Sequence, residues 1–292
     1  MQAFEYVAAK SISEAIDLLS ERGDQARILS GGTDLIVQVR EKRRSLELMV
    51  DVKQIPEVNE ISYSSADGLV LGASTPCYKI YNDPDIKSAY PGLIDAVSII
   101  GGIQVQGRAS VGGNLCNASP AADSTPALIV LDATCVIAGP SGTREVAAKD
   151  FCTAPGQTTM ENGEFLTSIK IPTPDTNSSS FYLRFIPRNE MDIAVVGAGA
   201  SVVLDESHKS FVSAHVALGA VAPTPLYAEE ASNLLSGQEI SDEIINQAAE
   251  AAQAIARPIS DMRGTANQRK HLVGVLTRRA LNGAVNRVKE TK

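Results

Sequence analysis

The sequence predicts an α+β protein of two domains, and three observations lead there. The chain has 292 residues, 44% hydrophobic and 21% charged, which is enough to bury more than one core and far from a disordered composition. Near residues 171–180, Pro172 and Pro174 restrict the backbone and remove donors, and the polar run to Ser180 offers nothing to bury, so a boundary falls there. Beyond it, strand-like runs at 181–186, 193–204 and 211–218 precede helices at 242–256 and 266–288. Strands followed by helices point to an α+β module and not to repeated βαβ units.

The elements follow in order. Ser11-Ile12-Ser13 leads into Glu14-Ala15-Ile16-Asp17-Leu18-Leu19, a helix that Gly23 ends. A short strand over 26–29 runs into Ser30-Gly31-Gly32-Thr33-Asp34, and Leu35, Ile36 and Val39 then recur at helical spacing. A strand at 46–52 follows. A second region begins near Pro56, contains the strand Leu69-Val70-Leu71, and continues through a helix around 93–100. In the last helix Leu272, Leu276, Ala280, Ala284 and Val288 recur in steps of four, a stripe that faces a core.

Composition excludes several functions. With 26 Lys+Arg against 34 Asp+Glu the formal net charge is −8, and the longest basic run is Lys42-Arg43-Arg44, which disfavours a nucleic-acid surface. Aromatic residues are 4% and Trp is absent, so no base-stacking platform is expected. No apolar run approaches membrane-spanning length, and Met1-Gln2-Ala3-Phe4-Glu5 does not open a signal peptide. Cys77, Cys116, Cys135 and Cys152 lack metal or disulfide-framework spacing, and His208, His215 and His271 are scattered; free thiols in a reducing cytoplasm and no metal site are expected.

Two glycine-rich turns carry the chemistry. In Ile28-Leu29-Ser30-Gly31-Gly32-Thr33-Asp34-Leu35, paired glycines between strand and helix permit positive φ and close ligand approach, and successive N–H groups suit phosphate oxygens. The same residues also suit a tight turn in which Thr33 or Asp34 caps the helix. The second turn is Ser110-Val111-Gly112-Gly113-Asn114, followed by small polar residues to Asp123. Asp123 reads either as an acid favouring a helix N-terminus or as an acceptor for ligand hydroxyls. Gly197-Ala198-Gly199-Ala200-Ser201-Val202 begins like a dinucleotide fingerprint, but Val202 replaces the third glycine and a β-branched run follows. No GxxxxGK[ST] loop or GxSxG elbow occurs.

These two turns, with Gly163-Glu164-Phe165-Leu166-Thr167-Ser168-Ile169, Tyr182-Leu183-Arg184-Phe185, Gly219-Ala220-Val221-Ala222-Pro223 and Arg269-Lys270-His271-Leu272, resemble the FAD-binding medium subunit of molybdenum hydroxylases across nearly the whole chain. The resemblance implies a vanillyl-alcohol-oxidase (PCMH) type FAD-binding domain over 1–175, in lobes of about 1–55 and 56–175. A smaller α+β domain of the carbon monoxide dehydrogenase flavoprotein type over 178–292 follows. It implies that Ile28 to Leu35 and Ser110 to Asn114 hold the FAD pyrophosphate largely through backbone N–H groups. Asp123, Ile100, Leu166 and Arg184 fall at further flavin-contact positions, although Arg184 also reads as a strand-surface cation. Relatives commonly read like Gln-Ile-Arg-Asn before the second turn, where this chain has Gln104-Val105-Gln106-Gly107-Arg108, so no role transfers to Arg108. Met191 stands where many relatives place an aromatic or acidic residue at the flavin edge, which leaves the electron acceptor open.

The function implied is electron transfer. Substrate is hydroxylated at a molybdenum cofactor on a large partner subunit, and electrons pass through two 2Fe-2S clusters of a small partner to noncovalent FAD here. From FAD they go to an external acceptor, in a dimer of heterotrimers in the cytoplasm. The chain itself supplies no catalytic or metal-ligating residue in this reading. The alternative is a self-contained FAD oxidase or reductase of the same superfamily. Such enzymes often attach FAD through His in the FAD domain, and here no His precedes His208. A scaffold that has lost its flavin is disfavoured because both glycine turns are intact.

Overall fold

The computed structural model describes residues 3–189 and 191–290. Three parallel strands, Glu5–Ala8, Leu48–Asp51 and Ala26–Leu29, form the first sheet in that spatial order. Leu48–Asp51 is covered on both faces, which is why it reads as a continuous apolar run without alternation. Helix Ile12–Arg22 starts where the Ser11 hydroxyl accepts the Glu14 N–H at 3.1 Å and stops at Gly23, whose φ is +53°.

The second sheet has five antiparallel strands in the order Ile61–Ser64, Gly68–Gly72, Phe165–Ile171, Thr134–Gly139 and Gly142–Ala147. Its central strand, Phe165–Ile171, comes from the far end of the domain and ties the two lobes together. Successive side chains of a strand point to opposite faces. Phe165 accordingly enters the core of the first lobe, with Leu48, Val50 and Ile55, while Leu166 enters the core of the second, with Leu69, Leu93 and Ile169.

The C-terminal region is a four-stranded antiparallel sheet, Ser178–Phe185, Val196–Leu204, Phe211–Gly219 and Leu226–Tyr227 in order. Helices Ala266–Glu290 and Glu229–Leu235 cover one face, with Asp242–Ile255 packed on both, and there Leu276, Ala280, Ala284 and Val288 of the expected stripe are buried and Leu272 packs at the margin. Helices Pro91–Val97 and Ser124–Val130 of the N-terminal region press on the other face, so the sheet is buried on both sides.

One sequence expectation changes here and another holds. The polar tail 178–180 is not linker: Ser178, Ser179 and Ser180 pair with Val203, Val202 and Ser201. Ser180 is buried and its hydroxyl accepts the Gly92 N–H at 3.1 Å, so a hydroxyl run reads as loop only until a partner is in place. The Gly197–Gly199 run is strand, as the missing third glycine indicated, and its glycines have a packing reason. A Cβ on Gly199 would come within 3.1 Å of the Pro126 carbonyl, where helix Ser124–Val130 closes on the sheet.

Leu281 is fully buried in the C-terminal core, whereas Val212 is 57% exposed. Leu281→Ala is expected to destabilise the chain by about 3 kcal/mol and Val212→Ala by no more than about 0.5 kcal/mol, read by chemical denaturation.

Candidate functional site

The two glycine turns meet. A Cβ on Gly31 would lie 2.4 Å from the Arg108 carbonyl oxygen, and one on Gly112 would lie 2.4 Å from that of Ala73. At both positions backbone rests on backbone, and no side chain larger than hydrogen fits. Gly32 is needed for a second reason, its φ of +78°, while a Cβ on Gly113 would meet only the Ser110 hydroxyl at 3.0 Å. Close approach therefore makes Gly31 and Gly112 the stricter requirements.

A chain of hydroxyls locks the turns together. Ser74 donates to Ser30 Oγ at 2.6 Å, the Ser30 and Ser110 hydroxyls are 2.8 Å apart, and Ser110 Oγ accepts the Gly113 N–H at 3.0 Å. Arg108 Nε donates to the Gly31 carbonyl at 3.1 Å, so the arginine to which no role was transferred holds the first turn in place. Gln38 Nε2 donates to Asn117 Oδ1 at 3.1 Å and spans the lobes a third time.

Between the lobes lies a cleft of about 550 Å³. Of the expected residues, Ile28, Ser30, Gly31, Gly32, Thr33, Asp34, Leu35, Ile100, Ser110, Gly112, Gly113, Asn114 and Leu166 line it. Leu29 and Val111 do not: their side chains are buried in the flanking cores, so only their backbone can serve the cleft. Asp34 makes no side-chain capping bond to helix Leu35–Arg40, which removes its cap reading, whereas Ser110 does cap helix Val111–Cys116.

Asp123 and Arg184 also lie outside the lining, and they meet each other. Arg184 Nη1 donates to Asp123 Oδ2 at 2.5 Å and the Tyr182 hydroxyl donates to Asp123 Oδ1 at 2.9 Å. Arg184 is buried in this pair and is not a strand-surface cation. The Asp123 carboxylate makes no capping bond to helix Ser124–Val130, because it faces strand Ser178–Phe185. Its link to the cleft is short: the next residue, Ser124, donates through N–H and hydroxyl to Oδ1 of Asn114, at 3.3 and 2.7 Å. Met191 is 57% exposed and its side chain lies against Gly102.

Sequence reading missed two cations. Arg27 and Arg44 both line the cleft, and Arg44 Nε donates to Gln38 Oε1 at 3.2 Å. Burial, then the nearby Arg27 cation, pulls the Arg44 guanidinium below its usual value. Arg44 ends the run that looked too short for nucleic acid, and a short run still suffices where folding brings a second arginine beside it.

The donor set fits a flavin dinucleotide. Both glycine turns line the cleft, Arg44 and the Asp24-bonded Arg27 bring cations to a lining that also holds Asp24, Asp34, Glu161 and Glu164, and Leu19, Ile28, Val52, Phe165 and Leu166 give apolar lining.

Burial pushes the Asp123 carboxyl up to about 6, against the opposing pull of Arg184 and the Tyr182 hydroxyl. A carboxyl raised in the folded state stabilises the fold at low pH, and that contribution is lost as pH rises from about 4 to about 6. Ligand-free protein is therefore expected to lose up to about 3 kcal/mol across that window, and Asp123→Asn to flatten the curve, measured by urea denaturation at each pH. The lowered carboxyls Glu164, Asp192, Asp205 and Asp261 act in the opposite sense, while Asp34, raised by burial against the pull of Arg43, acts in the same sense as Asp123.

Comparison with known proteins agrees with this geometry. Residues 2–174 match the family described as "FAD binding domain in molybdopterin dehydrogenase" and residues 181–284 match "CO dehydrogenase flavoprotein C-terminal domain". The chain is 34% identical over 287 residues to the carbon monoxide dehydrogenase medium chain of Afipia carboxidovorans, covering 98% of each protein. Among solved structures, a chain of reconstituted CO dehydrogenase from Oligotropha carboxidovorans superposes with a TM-score of 0.93 at 33% identity, covering 98% of this chain and 99% of that one. A chain of quinoline 2-oxidoreductase from Pseudomonas putida 86 gives 0.90 at 30% identity, covering 98% of each. Two family models in sequence along the chain, a relative at 34% identity over nearly its whole length and the same fold in solved structures agree, and the chain belongs to the FAD-binding medium subunits of the molybdenum hydroxylase family.

Proposed function

We propose that the chain binds FAD noncovalently and serves as the electron-transfer subunit of a cytoplasmic molybdenum hydroxylase, in a dimer of heterotrimers. One partner subunit carries the molybdenum cofactor and substrate site, and another carries two 2Fe-2S clusters. The observation that carries the reading is the cradle in which Gly31 and Gly112 rest on the backbone of Arg108 and Ala73. Both turns line the cleft, where their amides would serve a diphosphate as donors.

Bound flavin accepts electrons singly and releases them in pairs, which joins one-electron clusters to a two-electron acceptor. The chain's own residues bind and orient. Ser74, Ser30 and Ser110 hold the turns rigid through their hydroxyl chain. Arg108 holds the Gly31 carbonyl, and Arg27 and Arg44 supply positive charge to a cleft that Asp34 of the first turn also lines. The Asp123–Arg184 pair places a fixed dipole beside Ser124 and Asn114 at the cleft wall.

The purified chain, mixed with FAD, is expected to show a flavin absorption spectrum whose chromophore stays in the supernatant after acid precipitation. Absence of flavin both in the chain alone and in its native complex overturns the proposal. Gly31→Ala and Gly112→Ala are each expected to abolish FAD retention with the circular dichroism spectrum unchanged, and Gly113→Ala to weaken it less. Arg44→Ala is expected to raise the FAD dissociation constant about tenfold at low salt, with the difference shrinking as salt screens the cation. Purification from the native host tests the partners, which are expected as one large and one small subunit per chain.

A further inference from the structure

Asp95 lies on helix Pro91–Val97, in the N-terminal region and outside the cleft lining. Its carboxylate nonetheless makes three bonds into the C-terminal domain. Oδ2 accepts the Tyr182 N–H at 3.1 Å and Arg287 Nη1 at 2.7 Å, while Oδ1 accepts Arg287 Nη2 at 2.8 Å. Arg287, from the last helix, also donates to the Ser180 carbonyl at 2.7 Å and lies 4.2 Å from the Phe181 ring centroid. Three consecutive residues of one strand are therefore pinned from both sides by a single fork-to-carboxylate contact.

That strand carries Arg184. Tyr182 is fixed at its main chain by Asp95 and at its hydroxyl by Asp123, and Arg184 stands on the same strand face two residues on. The geometry points to Asp95 as a positioning residue for the flavin end of the site: with Arg287 it sets the height and register of strand Ser178–Phe185, so that the Tyr182–Asp123–Arg184 group is delivered beside the cleft. A close-packed seam makes the position exacting. A Cβ on Gly92, one turn before Asp95, would lie 2.6 Å from Ser180 Oγ, and one on Gly283, one turn before Arg287, 2.6 Å from the Phe181 ring. With both glycines already at contact, the strand has no slack in which to tilt, and the ion pair selects its seat. This inference rests on the proposed FAD-binding function.

The test uses the full chain loaded with FAD. Asp95→Ala is expected to lower FAD affinity about tenfold, to raise the fluorescence of bound flavin, and to shift its midpoint potential as the Asp123–Arg184 pair beside the cleft wall is displaced. Asp95→Asn keeps an acceptor for the Tyr182 N–H and loses the charge facing Arg287, so it is expected in between and serves if the alanine variant fails to fold. Arg287→Lys is expected to stay near wild type. Leu281→Ala, in the C-terminal core, is the control for lost stability alone and should leave the potential unchanged. Wild-type flavin properties in both Asp95 variants overturn the inference, as does an equal shift in Leu281→Ala. A wild-type chain that takes up no FAD instead overturns the functional reading and this inference with it.

Discussion

Everything at the candidate site depends on backbone touching backbone. The Gly31 contact brings a loop of the parallel sheet against the segment that opens helix Val111–Cys116, and the Gly112 contact seats that helix on Ala73 at the end of strand Gly68–Gly72. Only then can the serine hydroxyls of three separate segments reach one another, and only then do the lobes enclose a cleft. A single methyl group at either glycine separates these surfaces, because a carbonyl oxygen cannot rotate out of the way as a side-chain tip can.

The seam between the regions follows a different logic. Asp95 and Asp123 are N-terminal, and the guanidiniums facing them, Arg287 and Arg184, are C-terminal. Burying an ion pair returns little net stability, since desolvation offsets the Coulomb attraction, but it penalises every seat in which a charge loses its partner. Apolar packing of Ala96, Ala127 and Tyr182, and of Ile129, Val130 and Ala217, holds the regions together. The charges decide where on that seam the sheet settles.

The same division explains how much could be read in advance. The glycine turns, the strand 26–29 and the last helix were legible because each is a local pattern: paired glycines, a short run ending in Ile28-Leu29 just before them, an apolar stripe in steps of four. The hairpin of Thr134–Gly139 with Gly142–Ala147 was not singled out, and neither were Arg27 and Arg44 as a pair. Asp123 looked like a helix acid because its neighbours in sequence begin a helix. Its partners, Tyr182 and Arg184, lie about 60 residues away in the other domain, as their contact separations of 59 and 61 residues show.

The sequence by itself determined the two-domain α+β class and the two glycine turns that line the cleft, because these depend on which residues lack a Cβ and on apolar spacing within single elements, and its motifs carried the resemblance to the family. Only the tertiary structure decided which glycines are indispensable, what Arg108 and Asp95 hold, and that Arg184 is paired and not free. Those outcomes depend on what approaches from distant segments, and a one-dimensional pattern carries no record of the atom that will stand 2.4 Å from a missing methyl group.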